Sequence, residues 1–304
     1  MKNAVITGAA GMLGLALIRI LTAEGYNVYA VVRPGSHRNA NIPDWENVKI
    51  TECDLSELDN LKNLVQEKCD IFFHFGWAGT SGAARNDMDM QIKNIQHTID
   101  AVNAAHDLGC SVFLGAGSQA EYGRREEKIQ PQTPANPENG YGIAKLCAGQ
   151  MSRNLCAEYG IKHIWCRIFS VYGPYDGEQT MVMSGIRQLL DGNRPSYTKG
   201  EQLWDYLYCD DAARAIYLSA VSGKNGAIYC VGSGKTRQLR EYIEIIRDIV
   251  CPGAEVGIGD IPYADKQVMY LCADIDSLKE DTGFEPQYSF EEGIKRTVAW
   301  YRGN

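Results

Sequence analysis

The stretch "NAVITGAAGMLGLALIRIL" constrains the fold more than any other part of the chain. An apolar run of strand character ends at Thr7, and Gly8, Gly11 and Gly14 follow at three-residue spacing as a helical pattern begins. A strand that turns at once into a helix needs a residue without a Cβ at the turn, which Gly8 supplies. Gly11 lets a pyrophosphate approach the backbone at the helix N-terminus, and Gly14 lets helix pack on strand. The spacing is G-x-x-G-x-x-G rather than G-x-G-x-x-G, and a glycine triplet alone is a weak signal. Its position directly after the first strand makes it a dinucleotide-binding turn, with Met12 and Leu13 as part of the same cofactor site.

Beyond this turn, β-rich runs alternate with helical stretches. "NVYAVV", "VKITECDL" and "CDIFFHFG" precede the helix-like "MQIKNIQHTIDAVNAAHDLG". Then come the strand "SVFLGAG", the helix "YGIAKLCAGQMSRNLCAEYG" and the strand "HIWCRIF". Strands that are apolar throughout, separated by amphipathic helices, predict a doubly wound parallel α/β sheet of Rossmann type. The alternation is regular through residue 173 and then loosens as Gly and Pro punctuate shorter elements. Residues 1–173 therefore read as the dinucleotide-binding domain, joined by about 205–233. Residues 174–304 read as mostly a smaller substrate-binding region.

The bulk properties narrow the function. A net charge of −8 with no block of Lys or Arg argues against a nucleic-acid partner. The expected location is cytoplasmic, because neither a leader pattern nor an apolar run of about 18 residues is present. The ten cysteines lie singly, without a C-x-x-C pair, and read as reduced, mostly buried thiols. Five histidines without ligand spacing make a metal site improbable.

A dinucleotide fold usually carries an acid at the end of its second strand, bonded to the adenosine ribose 2′-hydroxyl. Here that strand ends "VVRPGSHR", which places Arg33 at the acidic position with Ser36 and Arg38 close behind. A guanidinium pairs bidentately with a 2′-phosphate that a carboxylate would repel, so NADP(H) is favoured over NAD(H). A solvated loop carrying two cations is the alternative. Asp54, in "CDL", is placed to accept a hydrogen bond from the adenine amine, with Leu55 beside it.

"YGIAK" puts Tyr141 and Lys145 four residues apart, one helical turn along the same face. A free phenol has a pKa near 10. A lysine ammonium one turn away, or the positive charge of an oxidised nicotinamide, favours the phenolate.

With these residues in place, the chain resembles the extended short-chain dehydrogenase/reductase family, in particular its nucleotide-sugar epimerases, dehydratases and reductases. The resemblance runs through "TGAAGMLG", "CDL", "HFGWAG", "GSQAEYG", "YGIAK", "RIFSVYGP", "WDYLYCDDAARA" and "EEGIKRTVAWY". It implies a Ser118–Tyr141–Lys145 site acting on a nucleotide sugar. Ser118 would bond the substrate oxygen, Tyr141 move the proton, and Lys145 bind the nicotinamide ribose and lower the tyrosine pKa. It further implies that residues near Tyr172 position the nicotinamide. The helices beginning near Gln91 and Tyr141 would form a four-helix bundle with those of a second subunit.

Two residues depart from the family pattern. Ser170 stands where the family usually has Asn, and Trp204 where an arginine often contacts the nucleotide diphosphate. Lys199, Arg187 and Lys266 are candidate replacements for that cation, while Trp204 could equally be core packing.

The residues after Ser118 separate the family's chemistries. Dehydratases carry an Asp-Glu pair where this chain has Gln119 and Ala120, and neither an amide nor a methyl serves as acid or base. Glu121 comes one residue late and, in an extended strand end, would point to the other face. Combined epimerase-reductases place a cysteine at the position of Ala120. Simple hydride transfer remains. The favoured reading is a 4-keto-6-deoxyhexose reductase using NADPH, with Ser118, Gln119, Ser170, Arg187, Lys199 and Trp204 as candidate substrate contacts. The alternative is an NAD-dependent 4-epimerase, followed by a non-catalytic NADP-binding protein.

Overall fold

The computed structural model describes residues 2–303. The first half comprises β1 (Lys2–Thr7), α1 (Met12–Ala23), β2 (Tyr26–Val32), β3 (Val48–Glu52), α2 (Leu61–Leu64), β4 (Ile71–His74), α3 (Met88–Asp107), β5 (Val112–Ser118), α4 (Gly140–Glu158) and β6 (Lys162–Ile168). After β7 (Ser170–Tyr172), α5 (Met181–Leu190), β8 (Ser196–Tyr197), β9 (Leu203–Trp204), β10 (Tyr206–Tyr208) and α6 (Cys209–Ser222), the chain returns as β11 (Ala227–Val231). It closes with β12 (Arg237–Gln238), α7 (Leu239–Val250), β13 (Gly257–Ile258), β14 (Tyr270–Leu271), α8 (Asp276–Thr282) and α9 (Phe290–Gly303).

Seven strands form one parallel sheet in the order β11-β6-β5-β4-β1-β2-β3. Its inner strands are apolar on both faces because both faces are covered, while the edge strand β3 is largely exposed. Ala4 and Ile6 of β1 enter one core with α1 and α6, and Val5 enters the other with α3. Val28 and Ala30 against Tyr29 and Val31 repeat the alternation on β2. The chain order reverses between β1 and β4. The C-terminal ends of these two strands therefore open the crevice in which doubly wound sheets bind ligands.

The helices start where side chains cap them. Asp87 accepts from the Met90 amide at 3.0 Å, so α3 begins three residues before Gln91. Asn139 accepts from the Gly142 amide at 2.9 Å and starts α4 just ahead of Tyr141. In the C-terminal part, β9 pairs with β12 and β14, β8 with β13, and β10 with β7. The fully buried Asp205 carboxylate joins these pieces, accepting from the amides of Ser233, Gly234 and Ala273.

All ten cysteines are unpaired, and only Cys147 and Cys251 are not buried. Among the described residues, no helix is long and apolar enough to cross a membrane.

Candidate active site

The turn between β1 and α1 is tight enough to require glycine at two positions. Gly8 has φ of 69°, and a Cβ there would come within 2.8 Å of the Gly76 amide nitrogen at the end of β4. A Cβ on Gly14 would lie 2.5 Å from the Ala9 carbonyl oxygen and 2.6 Å from that of Gly8. Gly14 thus seats the first turn of α1 on the loop's own carbonyls, rather than on the strand as the spacing suggested. Gly11 is the N-cap of α1 and supplies no side-chain cap. The first amides of the helix, those of Met12 and Leu13 among them, have no partner within it. The side chains of Met12 and Leu13 pack against the core instead.

A cleft of about 460 Å³ opens from this turn and runs past Arg33, Arg38, Asp54, Leu55 and Trp77. Arg33 and Arg38 have no ion-pair partner among the described residues. Asn39 ties their loop down, donating to the Arg33 carbonyl at 3.1 Å and to Glu52 at 3.4 Å. At Asp54 the Ser56 amide and hydroxyl both bond Oδ1, at 3.0 and 2.8 Å. These two bonds hold the carboxyl below its usual range and leave Oδ2 open to a ligand. His97 of α3 also lines the cleft, and its buried Nδ1 has no partner.

These features fit a dinucleotide. Bare helix amides and the Gly8 turn suit a pyrophosphate, a half-engaged carboxylate suits an adenine amine, and two free guanidinium groups suit a third phosphate.

Beyond Trp77, which lines the cleft, β5 delivers Ser118, 8% exposed, and α4 delivers Tyr141 and Lys145. Lys145 Nζ donates to the Ala116 carbonyl at 2.6 Å and lies 3.6 Å from the centre of the Trp77 ring. Burial pushes Lys145 down to about 7, against the pull of the Glu121 charge. Burial raises Tyr141 above the ordinary phenol value, while a hydrogen bond with Ser118 and the Arg85 charge act to lower it. Among the protein's own groups, then, Ser118 and Arg85 moderate the tyrosine rather than Lys145, whose ammonium lies 5.8 Å from the Tyr141 ring centre.

Residue-by-residue sequence reasoning missed several members of this site. The Arg85 guanidinium lies 4.5 Å over the Tyr141 ring, and Trp77 meets the same ring edge-on at 6.0 Å. The Trp77 indole donates to Gln91 at 2.9 Å, and Asn94 bonds both backbone groups of Ala78, so α3 anchors the loop. The signal was a large aromatic in "HFGWAG", just past the end of a strand and between glycines.

Residues Gln119–Glu121 form a 3₁₀ turn, not an extended strand end. Ser118 and Glu121 make a reciprocal capping box, which draws the Glu121 carboxylate beneath the turn and into contact with Arg167. Gln119 is half-buried beside it.

The two departures from the family pattern meet. Trp204 donates its indole N–H to the Ser170 hydroxyl at 2.8 Å. Ser118 lies beside Ile168 in the sheet register, so this pair sits two residues beyond the reaction end. The candidate replacement cations do not gather there. Arg187 is held by Glu178 at 3.0 Å, Lys199 is an exposed loop residue, and Lys266 is an exposed turn residue whose charge is felt at Glu138. The Tyr172 side chain is buried and donates to the Phe290 carbonyl at 3.1 Å, so the ring itself belongs to the core.

Comparison with known proteins agrees with this architecture. The profile of the NAD dependent epimerase/dehydratase family matches residues 4–232, and the chain belongs to that family. Among its relatives, the dTDP-glucose 4,6-dehydratase of Escherichia coli is 29% identical, with 99% of this chain and 92% of that protein covered. The UDP-glucose 4-epimerase of Thermotoga maritima has a similar structure, with a TM-score of 0.88 at 24% identity and 99% of each chain covered. RMD from Pseudomonas aeruginosa, solved with NADPH, superposes with a TM-score of 0.84 at 22% identity over the whole of both chains. The protein is thus an enzyme of the NAD(P)-binding, extended short-chain dehydrogenase/reductase group acting in nucleotide-sugar metabolism.

Proposed function

We propose that the protein is an NADPH-dependent reductase of a nucleotide-activated 4-keto-6-deoxyhexose. The observation that carries this reading is the state of the three residues after Ser118. Gln119 is an amide, Ala120 a methyl, and the Glu121 carboxylate is closed by three donors. None of them protonates a leaving hydroxyl or takes a proton from carbon, so dehydration and carbon-acid epimerisation lack an acid and a base at these positions.

NADPH bound in the cleft would supply the hydride. Ser118 holds the carbonyl oxygen, Tyr141 gives it a proton, and Lys145 holds the nicotinamide ribose. Burial raises Tyr141 above the ordinary phenol value, which favours the protonated form that a reduction consumes. A 4-epimerase must first remove a proton from a sugar hydroxyl, for which the phenolate is the useful form. The free Arg33 and Arg38 support a 2′-phosphate on the cofactor. The sugar nucleotide would lie between the reaction end and residues 174–304, against Ser170 and Trp204.

With a 4-keto nucleotide sugar and NADPH deuterated at C4 of the nicotinamide, the product should carry one deuterium at the former carbonyl carbon. In heavy water, C3 and C5 should gain none beyond uncatalysed exchange, and NADPH should be consumed stoichiometrically. Turnover of a 4-hydroxy nucleotide sugar without added NADPH would assign the enzyme as an epimerase instead.

We also propose a homodimer through α3 and α4, which pack on each other and present Met88, Ile92, Ile143 and Met151 to solvent. Ile92 is 63% and Ile143 52% exposed, an apolar surface suited to a second copy. Light scattering should give twice the chain mass for the wild type and a monomer for Ile92→Asp/Ile143→Asp. A monomeric wild type overturns this assembly.

A further inference from the structure

Glu121 is a fully buried carboxylate with no part in proton transfer, yet it lies directly beneath the reacting serine. Oε1 accepts from the Ser118 backbone amide at 2.8 Å and from the Trp165 indole at 3.0 Å. Oε2 accepts from Arg167 Nε at 2.6 Å. Arg167 is equally enclosed, with its guanidinium 4.3 Å over the Tyr122 ring and a bond to the Pro131 carbonyl.

The Trp165 indole is a wedge. It fills the space that a Cβ on Gly115 or Gly117 of β5 would need, and a Cβ on Gly149 of α4 would come within 2.7 Å of it. One ring therefore spaces the strand that ends at Ser118 from the helix that carries Tyr141 and Lys145. This explains why "GAGS" has glycine at alternate positions: both face the indole.

A buried ion pair is a poor source of stability, because desolvation offsets most of the attraction and an apolar pair of similar volume often serves as well. What this pair provides is geometry. We propose that Glu121 is a positioning residue that, through the Ser118 amide and the Trp165 indole, fixes the Ser118 hydroxyl relative to Tyr141. Arg167 holds the carboxylate in the required rotamer. The inference rests on the reading of Ser118 as the group that holds the substrate oxygen.

Two variants separate positioning from stability. Glu121→Val/Arg167→Met removes both charges together and leaves no unpaired ion. It should melt within a few degrees of the wild type, with kcat about tenfold lower or more and KM for NADPH unchanged, because misplacement at the reacting atoms acts on the transition state. Glu121→Gln keeps a neutral acceptor for the Ser118 amide and the indole. It should retain kcat within about threefold despite a lower melting temperature caused by the unpaired Arg167. Wild-type kcat in the double variant, or an equal loss in Glu121→Gln, overturns the proposal. Amide hydrogen exchange over residues 118–122 reads the anchoring without any substrate. Faster exchange in the double variant than in the wild type supports the inference even if no 4-keto sugar is reduced, an outcome that would count against the proposed reaction alone. Unchanged exchange overturns it.

Discussion

Tyr141→Phe is expected to lower kcat by about 10²–10⁴-fold, the usual contribution of a positioned proton donor. The ring should remain where it is even without the hydroxyl's bond to Ser118, because other neighbours grip its body: Arg85 stacks on one face and Trp77 packs against it at right angles. NADPH binding should therefore survive, and fluorescence titration of the variant should return the wild-type Kd. The loss should appear in kcat and in kcat/KM together, since the proton moves only as charge develops on the substrate oxygen. A folded Tyr141→Phe enzyme with undiminished kcat would assign the proton to another group.

Arg33→Asp should raise the Kd for NADPH by about ten- to a hundredfold, the equivalent of one charge-assisted hydrogen bond at roughly 1.5–3 kcal/mol. NADH should be affected far less, because it lacks the 2′-phosphate and an aspartate at this position can accept from the ribose hydroxyl. Arg33 is exposed at the cleft rim, so raising the salt concentration should weaken NADPH binding in the wild type more than in the variant. Equal affinity of the wild type for the two cofactors would leave Arg33 and Arg38 as cations of a solvated loop.

The candidate replacements for the missing diphosphate cation illustrate how far residue type alone carries. Arg187, Lys199 and Lys266 are candidates by charge and by position in the C-terminal part alone. The fold commits Arg187 to Glu178 and leaves Lys199 exposed in a loop and Lys266 exposed in a turn. Spacing along the chain does not say which cation already has a partner. Arg85 comes from an unremarked segment, "GAARN", and gains its place only because the loop after β4 folds over the start of α4.

Glu121 makes the same point within a single motif. Its distance from the Asp-Glu positions of the dehydratases was legible, and so was its unsuitability as a replacement. Residues 119–121 are not an extended strand end, so the facing argument alone does not explain it. The chain turns into a 3₁₀ helix at Gln119, because the Ser118 hydroxyl caps it and Glu121 returns to the Ser118 amide.

By itself the sequence determined what depends on short spacings. Burial of β1 and β2 on both faces, the Gly8 turn into α1, and the Tyr141–Lys145 face of α4 all follow from patterns within one element. The parallel, doubly wound character of the sheet followed too, because apolar strands alternating with helices point to it, but the order of its strands came only from the tertiary structure. Tertiary structure alone decided the contacts between distant segments. Trp165 and Arg167 reach Glu121 across 44 and 46 residues, Trp204 reaches Ser170 across 34, and Lys145 finds the Ala116 carbonyl beneath the Trp77 ring. Such partners are chosen by which faces the packed sheet and helices bring together, and a linear pattern carries no record of them.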